Sequence, residues 1–124
     1  MLVQNKEVER TAVNFAKKYY QKRGYSIEER PGRGYDLSVS KGRRRYLIEV
    51  KGRTKKWGFI NTPMKEVEVL KKPNARLFEV IINDQTKKVE FAYEFRCRDF
   101  GRKRHLGYAL YPRRTSRNLV YPKS

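Results

Sequence analysis

Two carboxylates and a lysine, Asp36, Glu49 and Lys51, stand close together in the first half of the chain. Mg²⁺ prefers hard oxygen ligands, usually one or two carboxylates with waters and a substrate phosphate. A cation held in this way activates a water for attack on a phosphodiester. The Val50 carbonyl between Glu49 and Lys51 could supply a third oxygen, and Lys51 could orient or deprotonate the water. We therefore predict metal-assisted phosphodiester hydrolysis, with these three side chains as catalytic residues.

The segments that carry these side chains have the pattern of a β-hairpin. Residues 35–40 and 45–51 largely alternate polar and apolar side chains, and residues 41–44 form the predicted loop. A period of two separates a buried face from a face that carries the chemistry. The buried face holds Leu37, Val39, Ile48 and Val50. A four-residue loop would place Asp36 directly across from Glu49, and other loop lengths would shift this pairing by a residue or two.

Flanking elements complete an α/β pattern. Apolar residues recur at helical spacing over residues 3–23, and a short strand is predicted at 25–29. Thr62 as N-cap and Pro63 at the first helical position predict a second helix, which Pro73 ends. The later strands are predicted at 76–82, 89–95 and 106–111. The resulting order is α-β-β-β-α-β-β, a mixed sheet flanked by helices, with residues 1–95 as the core and 96–124 as a basic extension of the same domain.

The charge of the chain points to a polyanionic partner. Lys and Arg number 31 against 13 acidic residues, a formal net charge of +18 over 124 residues. Nucleic acid is the usual partner of so basic a protein. Basic residues concentrate in 41–56 and in 96–124, which predicts a phosphate-binding surface. The side chains predicted to contact DNA are Arg33, Lys41, Arg43, Arg44, Arg53, Lys55, Lys56, Trp57, Arg102, Lys103, Arg104, Arg113 and Arg114.

Several other classes of protein fit the sequence poorly. No apolar run approaches the roughly 20 residues that span a bilayer, and no signal-peptide segment opens the chain, so we expect a cytoplasmic protein. The single Cys97 cannot form an internal disulfide, which fits a reducing compartment. His105 is the only histidine, which excludes a ribonuclease mechanism that needs two.

Gly34-Tyr35-Asp36 followed by Ile48-Glu49-Val50-Lys51-Gly52 resembles the PD-(D/E)XK nuclease superfamily, whose fold is the restriction-endonuclease-like fold. Within it, the segment from Glu9 to about Asn83 is similar to archaeal Holliday junction resolvases and Mrr-type restriction nucleases. The motifs Gly34-Tyr35-Asp36 and Glu49-Val50-Lys51-Gly52 are also similar to those of uncharacterised domains of this superfamily that are attached to larger proteins. Tyr35 stands where the superfamily's namesake proline would be.

This resemblance implies an α-β-β-β-α-β core and a metal site. It implies that Asp36 and Glu49 bind Mg²⁺, with Mn²⁺ as a substitute, and that Lys51 is catalytic. It also implies that a glutamate of the first helix completes the metal site and is itself catalytic; Glu9 matches best, and Glu7 is the fallback.

The expected function is a metal-dependent DNA endonuclease that recognises DNA structure. A homodimeric four-way-junction resolvase is the first choice, because two symmetric cuts call for two active sites. A restriction- or repair-type nuclease acting on duplex or flap DNA is the alternative within the enzyme class. The rival of another class is a non-catalytic basic nucleic-acid-binding protein.

Overall fold

The computed structural model describes residues 2–30, 32–54, 58–100 and 109–123, with side chains from residue 6 onwards. Its helices and strands are, in chain order, α1 (Leu2–Lys22), β1 (Ser26–Glu29), β2 (Leu37–Lys41), β3 (Arg44–Arg53), β4 (Ile60–Asn61), α2 (Met64–Leu70), β5 (Ala75–Ile82), β6 (Val89–Phe95), β7 (Ala109–Leu110) and β8 (Leu119–Tyr121).

The central sheet is mixed, and its strand order is β1-β2-β3-β5-β6-β8. The β3–β5 pair is parallel, whereas the neighbouring pairs are antiparallel. The crossover between the two parallel strands carries β4 and α2. This architecture confirms the predicted α/β class, with a restriction-endonuclease-like core of a mixed sheet and flanking helices.

The two faces of the sheet are covered by different helices. On one face α1 packs Ala12, Ala16 and Tyr20 against alternate residues of β2, β3, β5 and β6. On the other face Leu70 of α2 joins a second apolar cluster, which includes Leu77 of β5. Because β5 is covered on both faces, all eight of its residues are buried, as its dense apolar sequence predicts.

The β2–β3 hairpin has the predicted register but a shorter loop. Lys41 pairs with Arg44, so the loop contains only Gly42 and Arg43, and the predicted four-residue loop is wrong. Gly42 has a φ of 61°, which the first central position of a two-residue type II′ turn requires. Each strand extends one residue further towards the loop than predicted, and Ser40 still pairs with Arg45 as predicted. Leu37 therefore pairs with Ile48, and Asp36 comes directly before this pair.

The start of α2 differs from the prediction. Thr62 does not cap the helix: the N-cap is Pro63, without a side-chain hydrogen bond, and the helix begins at Met64. The buried Thr62 hydroxyl donates instead to the Ile60 carbonyl at 3.3 Å. The hydroxyl therefore points into the preceding loop, and no side-chain hydrogen bond caps the first turn of the helix.

Short strands are where the pattern gave least information. Strands β4 and β8 have two and three residues, too few for a period of two to show, and neither was predicted. Strand β7 falls within the predicted strand at 106–111, of which 106–108 lie outside the described residues. No helix in the described part of the chain is both long and apolar enough to cross a membrane.

Candidate functional site

Asp36 lies at the entrance to β2, where a glycine brings the chain against α2. Gly34 has a φ of 83°, and a Cβ there would come within 2.9 Å of Val69 Cγ2 and 3.0 Å of the Lys65 carbonyl oxygen. Only glycine fits this approach without displacing the helix. The turn then directs Asp36 towards β3, where its Oδ2 accepts a hydrogen bond from the Val50 N–H at 2.8 Å.

Glu49 and Lys51 project from β3 towards the α2 side of the sheet. Glu49 is only 4% exposed, and its carboxyl group lies beside those of Asp36 and Glu66. Lys51 Nζ lies 3.4 Å from Glu49 Oε2 and 2.8 Å from Glu66 Oε1. The structure thus brings together Asp36, Glu49 and Lys51, the three side chains on which the predicted chemistry depends.

Glu66 is a member of this cluster that the sequence did not single out. It lies in the first turn of α2, and its Oε1 is buried with no hydrogen bond of acceptable geometry, although Lys51 is close enough for an ion pair. Glu68, two positions on, is exposed and pairs with Lys71. The two glutamates have the same residue type and lie in the same short helix, so only their phase in the helix distinguishes them. The signal that could have found Glu66 is the helix phase relative to the buried Leu70, four positions later.

Glu9 joins the cluster through a second close approach. A Cβ on Gly52 would lie 2.8 Å from the Val8 carbonyl oxygen and 2.9 Å from Ala12 Cβ, so glycine lets α1 lie directly on β3. Glu9 Oε1 then accepts a hydrogen bond from the Gly52 N–H at 3.3 Å. Of the two helix-1 candidates, Glu9 is the one at the cluster, whereas Glu7 is exposed.

The electrostatics of the cluster reflect an excess of carboxyl groups. Burial raises the pKa of Glu9 from 4.5 to about 6 and also raises that of Asp36. Burial and the neighbouring Asp36 charge raise the pKa of Glu49 well above its usual range. Burial alone would lower the pKa of Lys51, but Glu49 and Glu66 raise it above its ordinary value. One ammonium group therefore faces several acids, and their charges favour a further cation.

The donor set is suited to a hard divalent cation. Carboxyl oxygens of Asp36, Glu49 and Glu66 meet around a single ammonium group, and oxygen donors of this kind are those that Mg²⁺ and Mn²⁺ take. In the described ranges, however, no group of three or more acidic, cysteine or histidine side chains has the arrangement of a metal-ligand set. Asp36 Oδ2 accepts a hydrogen bond from the Val50 N–H, and Glu49 Oε2 lies beside Lys51, so these carboxyl groups would have to turn to share a cation.

An open cleft gives access to this cluster. It has a volume of about 280 Å³ and runs between α1 and β1, with Glu9 and Asp36 in its wall. Lys6 and Arg10 also line it. Arg10 lies 3.5 Å from Glu29, which Lys17 also contacts at 2.7 Å. Three acidic and two basic side chains thus line this cleft, and one of the bases, Arg10, is paired with Glu29.

The residues predicted to contact DNA are not gathered at one place. Arg53 and Arg114 both bind the fully buried Glu79, with Arg114 donating from Nε and Nη2 at 2.8 and 2.7 Å. Lys41 donates to the Arg23 carbonyl at 2.8 Å. Arg43 and Arg44 lie at the hairpin tip, and Arg44 is five strand positions, about 17 Å, from Glu49.

The remaining predicted contacts fall into two groups. Two of them are exposed at the surface, namely Arg33 and Arg113. The others lie outside the described residues, namely Lys55, Lys56, Trp57, Arg102, Lys103 and Arg104.

The family model described as "Protein NO VEIN, C-terminal" matches residues 8–93 of the chain. That family is related to nuclease-like domains of the PD-(D/E)XK type. The matched segment runs from α1 through β6 and contains Glu9, Asp36, Glu49, Lys51 and Glu66. No curated protein and no solved structure matches the chain.

Proposed function

Since the chain belongs to the family of the Protein NO VEIN C-terminal domain, we propose that it is a metal-dependent DNA endonuclease of the PD-(D/E)XK type. The observation that carries this proposal is the convergence of Asp36, Glu49 and Glu66 on Lys51. A partly buried cluster with more carboxyl groups than cations must either hold protons, which the raised pKa values of Glu9 and Glu49 reflect, or bind a further cation. It is therefore better explained as a metal site than as packing.

The proposed roles follow from the contacts. Asp36 and Glu49 would hold Mg²⁺ or Mn²⁺ with the Val50 carbonyl, and Glu9 lies at the edge of the cluster as a further oxygen donor. The bound cation would polarise the scissile phosphate and acidify an attacking water. Glu66 and Glu49 hold the Lys51 ammonium group protonated and in place. From there Lys51 can donate hydrogen bonds to a phosphate oxygen as negative charge develops.

The net charge of +18 favours DNA as the substrate, through contacts with its phosphates. Contacts of this kind position a protein without reading sequence, so selection by DNA structure is the natural mode. We therefore rank a four-way-junction resolvase acting as a homodimer first. The second candidate within the class is a restriction- or repair-type nuclease. The exposed Phe59, Met64 and Tyr111, of which Phe59 and Tyr111 are in ring contact, offer apolar surface for a dimer interface.

A gel assay of end-labelled DNA with Mg²⁺ tests the proposal. Four-way junction, linear duplex, flap and single strand are each incubated with the wild type, Glu49→Gln, Lys51→Met and the exposed-surface control Glu68→Gln. We expect cleavage by the wild type and by Glu68→Gln, and a loss of about 100-fold or more in the other two variants. Paired symmetric nicks confined to the junction would support the resolvase ranking. Cleavage of duplex or flap DNA would favour the second candidate.

The rival function, a non-catalytic nucleic-acid binder, predicts a different result. Such a protein would bind all four substrates without cutting them in Mg²⁺ or Mn²⁺. Carboxylates that face phosphates weaken a mere binder, so Glu49→Gln would then bind DNA more tightly than the wild type. Tight binding without cleavage in either metal would contradict the endonuclease proposal.

A further inference from the structure

A second open cleft lies at the opposite end of the central strands, where α1 ends and β3 and β5 begin. Its volume is about 140 Å³, and its walls are aromatic rings and guanidinium groups. The residues that matter for its chemistry are Tyr19, Arg23, Tyr46, Arg76 and Glu94. None of them belongs to the carboxylate cluster.

Arg76 is the buried cation of this cleft. Arg76 is only 7% exposed, and its guanidinium carbon lies 4.6 Å from the centre of the Tyr46 ring. Nη1 donates to the carbonyls of Pro73 and Ala75 at 2.9 and 2.8 Å. Across the described ranges no carboxylate forms an ion pair with it. A buried charge without a counter-ion is unfavourable, so this cleft is built to receive an anion.

Arg23 presents a second guanidinium in the same way. Its central carbon lies 3.7 Å from the centre of the Tyr19 ring, and Nη1 donates to the Tyr19 carbonyl at 3.2 Å. In both arginines the guanidinium group packs on a ring and Nη1 donates to the backbone, while the hydrogen bonds of the described residues use neither Nε nor Nη2. Planar guanidinium groups of this kind match the geometry of phosphate oxygens.

The cleft keeps a positive charge despite one acid in its wall. Glu94 accepts a short hydrogen bond from the Tyr20 hydroxyl and forms no ion pair with the arginines in the described part of the structure. Arg96 also lines the cleft. Three guanidinium groups therefore face one carboxylate, and an anion with one or two charges would balance them.

We propose that this cleft binds a phosphate group of a nucleic-acid strand. Tyr46 and Lys51 are five positions apart on β3, so the cleft lies about 17 Å along the strand from the carboxylate cluster, and the odd spacing places the two on opposite faces of the sheet. The cleft is therefore a separate contact for a nucleic-acid strand, favoured by its own arginines and by the net charge of +18. The inference that an anion binds here uses only the residues of the cleft, whereas the inference that the anion belongs to a nucleic acid rests on the proposed function.

The test separates the anion site from cleavage. Binding is measured on Glu49→Gln protein, so that no substrate is cut, and the NMR signals of the arginine Nε–H groups are followed. Inorganic phosphate and a labelled 20-mer duplex are titrated separately. Arg23→Ala and Arg76→Lys are compared with Lys18→Ala, which removes an exposed charge from the same helix without touching the cleft. Thermal unfolding establishes that each variant is folded.

We expect phosphate to shift the Arg23 and Arg76 signals. In Arg23→Ala, loss of one phosphate contact lowers the salt slope of duplex binding by about 0.9, equivalent to about an 8-fold loss of affinity at 0.1 M salt. Arg76→Lys keeps the charge, so its salt slope should stay while affinity falls through loss of the planar guanidinium group. Lys18→Ala should change affinity less than about 2-fold. Unshifted signals, or equal losses in all three variants, would overturn the anion site. Signals that respond to phosphate while duplex affinity is unchanged would overturn the assignment to a nucleic-acid strand. Either result leaves the cleavage assay free to succeed or fail separately.

Discussion

Lys51 is held between two carboxyl groups, and the nearer of them belongs to Glu66. In Glu66→Gln we expect the pKa of Lys51 to fall and cleavage to slow by about 10-fold, because the ammonium group loses its closer anchor. The side-chain carbon signal of Lys51, followed by NMR against pH, measures the pKa directly. Glu68→Gln, on the same helix but exposed, should change neither quantity. An unchanged Lys51 pKa in Glu66→Gln would contradict the role given to this pair.

The raised pKa of Glu9 predicts that the stability of the protein depends on pH. Its pKa rises from 4.5 to about 6 on folding, chiefly through burial, so between these values the folded protein holds a proton that the unfolded chain has lost. Raising the pH through this window therefore lowers the free energy of unfolding, by on the order of 1–2 kcal/mol for this group. Burial also raises the pKa of Asp36 and Glu49, which adds to the decline.

Urea unfolding between pH 4.5 and 7.5, in the absence of divalent cations, measures this dependence. Glu9→Gln should flatten part of the decline and be more stable than the wild type at pH 7.5. The exposed Glu7→Gln should follow the wild-type curve. A wild-type protein whose stability rises over this range would mean that the cluster does not carry the proposed excess of acid.

The chemistry of Asp36, Glu49 and Lys51 was predictable because all three lie in one hairpin, where a period of two fixes the face of each residue. The part played by Glu66 was not predictable from the hairpin, because Glu66 reaches the cluster from α2, which begins after a loop. Its position depends on the packing of α2 against the sheet, and local spacing does not encode that packing.

Gly52 sets how closely α1 can lie on β3. A Cβ at this position would meet the Val8 carbonyl oxygen and Ala12 Cβ, both closer than 3.0 Å. We expect Gly52→Ala to lower the free energy of unfolding by about 2–3 kcal/mol, because backbone must move, and to weaken the Glu9 contact with it. The control is Gly42→Ala, where a Cβ would meet nothing but φ is positive. Strain alone should cost about 1 kcal/mol there. Chemical denaturation of both variants measures the difference, and equal losses would contradict the packing argument.

Long elements were predictable and short ones were not. The pattern gave α1, β5 and β6 to within a residue or so, since each has several apolar residues in one phase. Strands β4 and β8 pair only two residues each with their neighbours. Their pairing follows from where the rest of the chain brings them. Thr62-Pro63 predicted a helix start correctly to within one residue, but the hydroxyl turned to the loop instead of the helix.

Glu79 links parts of the molecule that are distant in sequence. It is fully buried on β5 and binds Arg53 at the end of β3 and Arg114 of the C-terminal segment, which also donates to the Gly58 carbonyl. Glu79→Gln should lower the free energy of unfolding by about 3 kcal/mol, because two partly buried guanidinium groups lose their shared counter-ion. Thermal or urea unfolding checks this, with the exposed Glu90→Gln as control. A loss below about 1 kcal/mol would show that the arginines find other partners, DNA phosphates among them.

The central claim, that the carboxylate cluster is a divalent metal site, is tested most directly by Mn²⁺ binding followed by electron paramagnetic resonance. The signal of free Mn²⁺ should disappear in proportion to added wild-type protein, and Mg²⁺ should restore it by competition. Asp36→Asn and Glu49→Gln should lose this binding, whereas Glu68→Gln should keep it. A wild-type protein that leaves the Mn²⁺ signal unchanged at neutral pH, or two cluster variants that bind as well as the wild type, would contradict the claim.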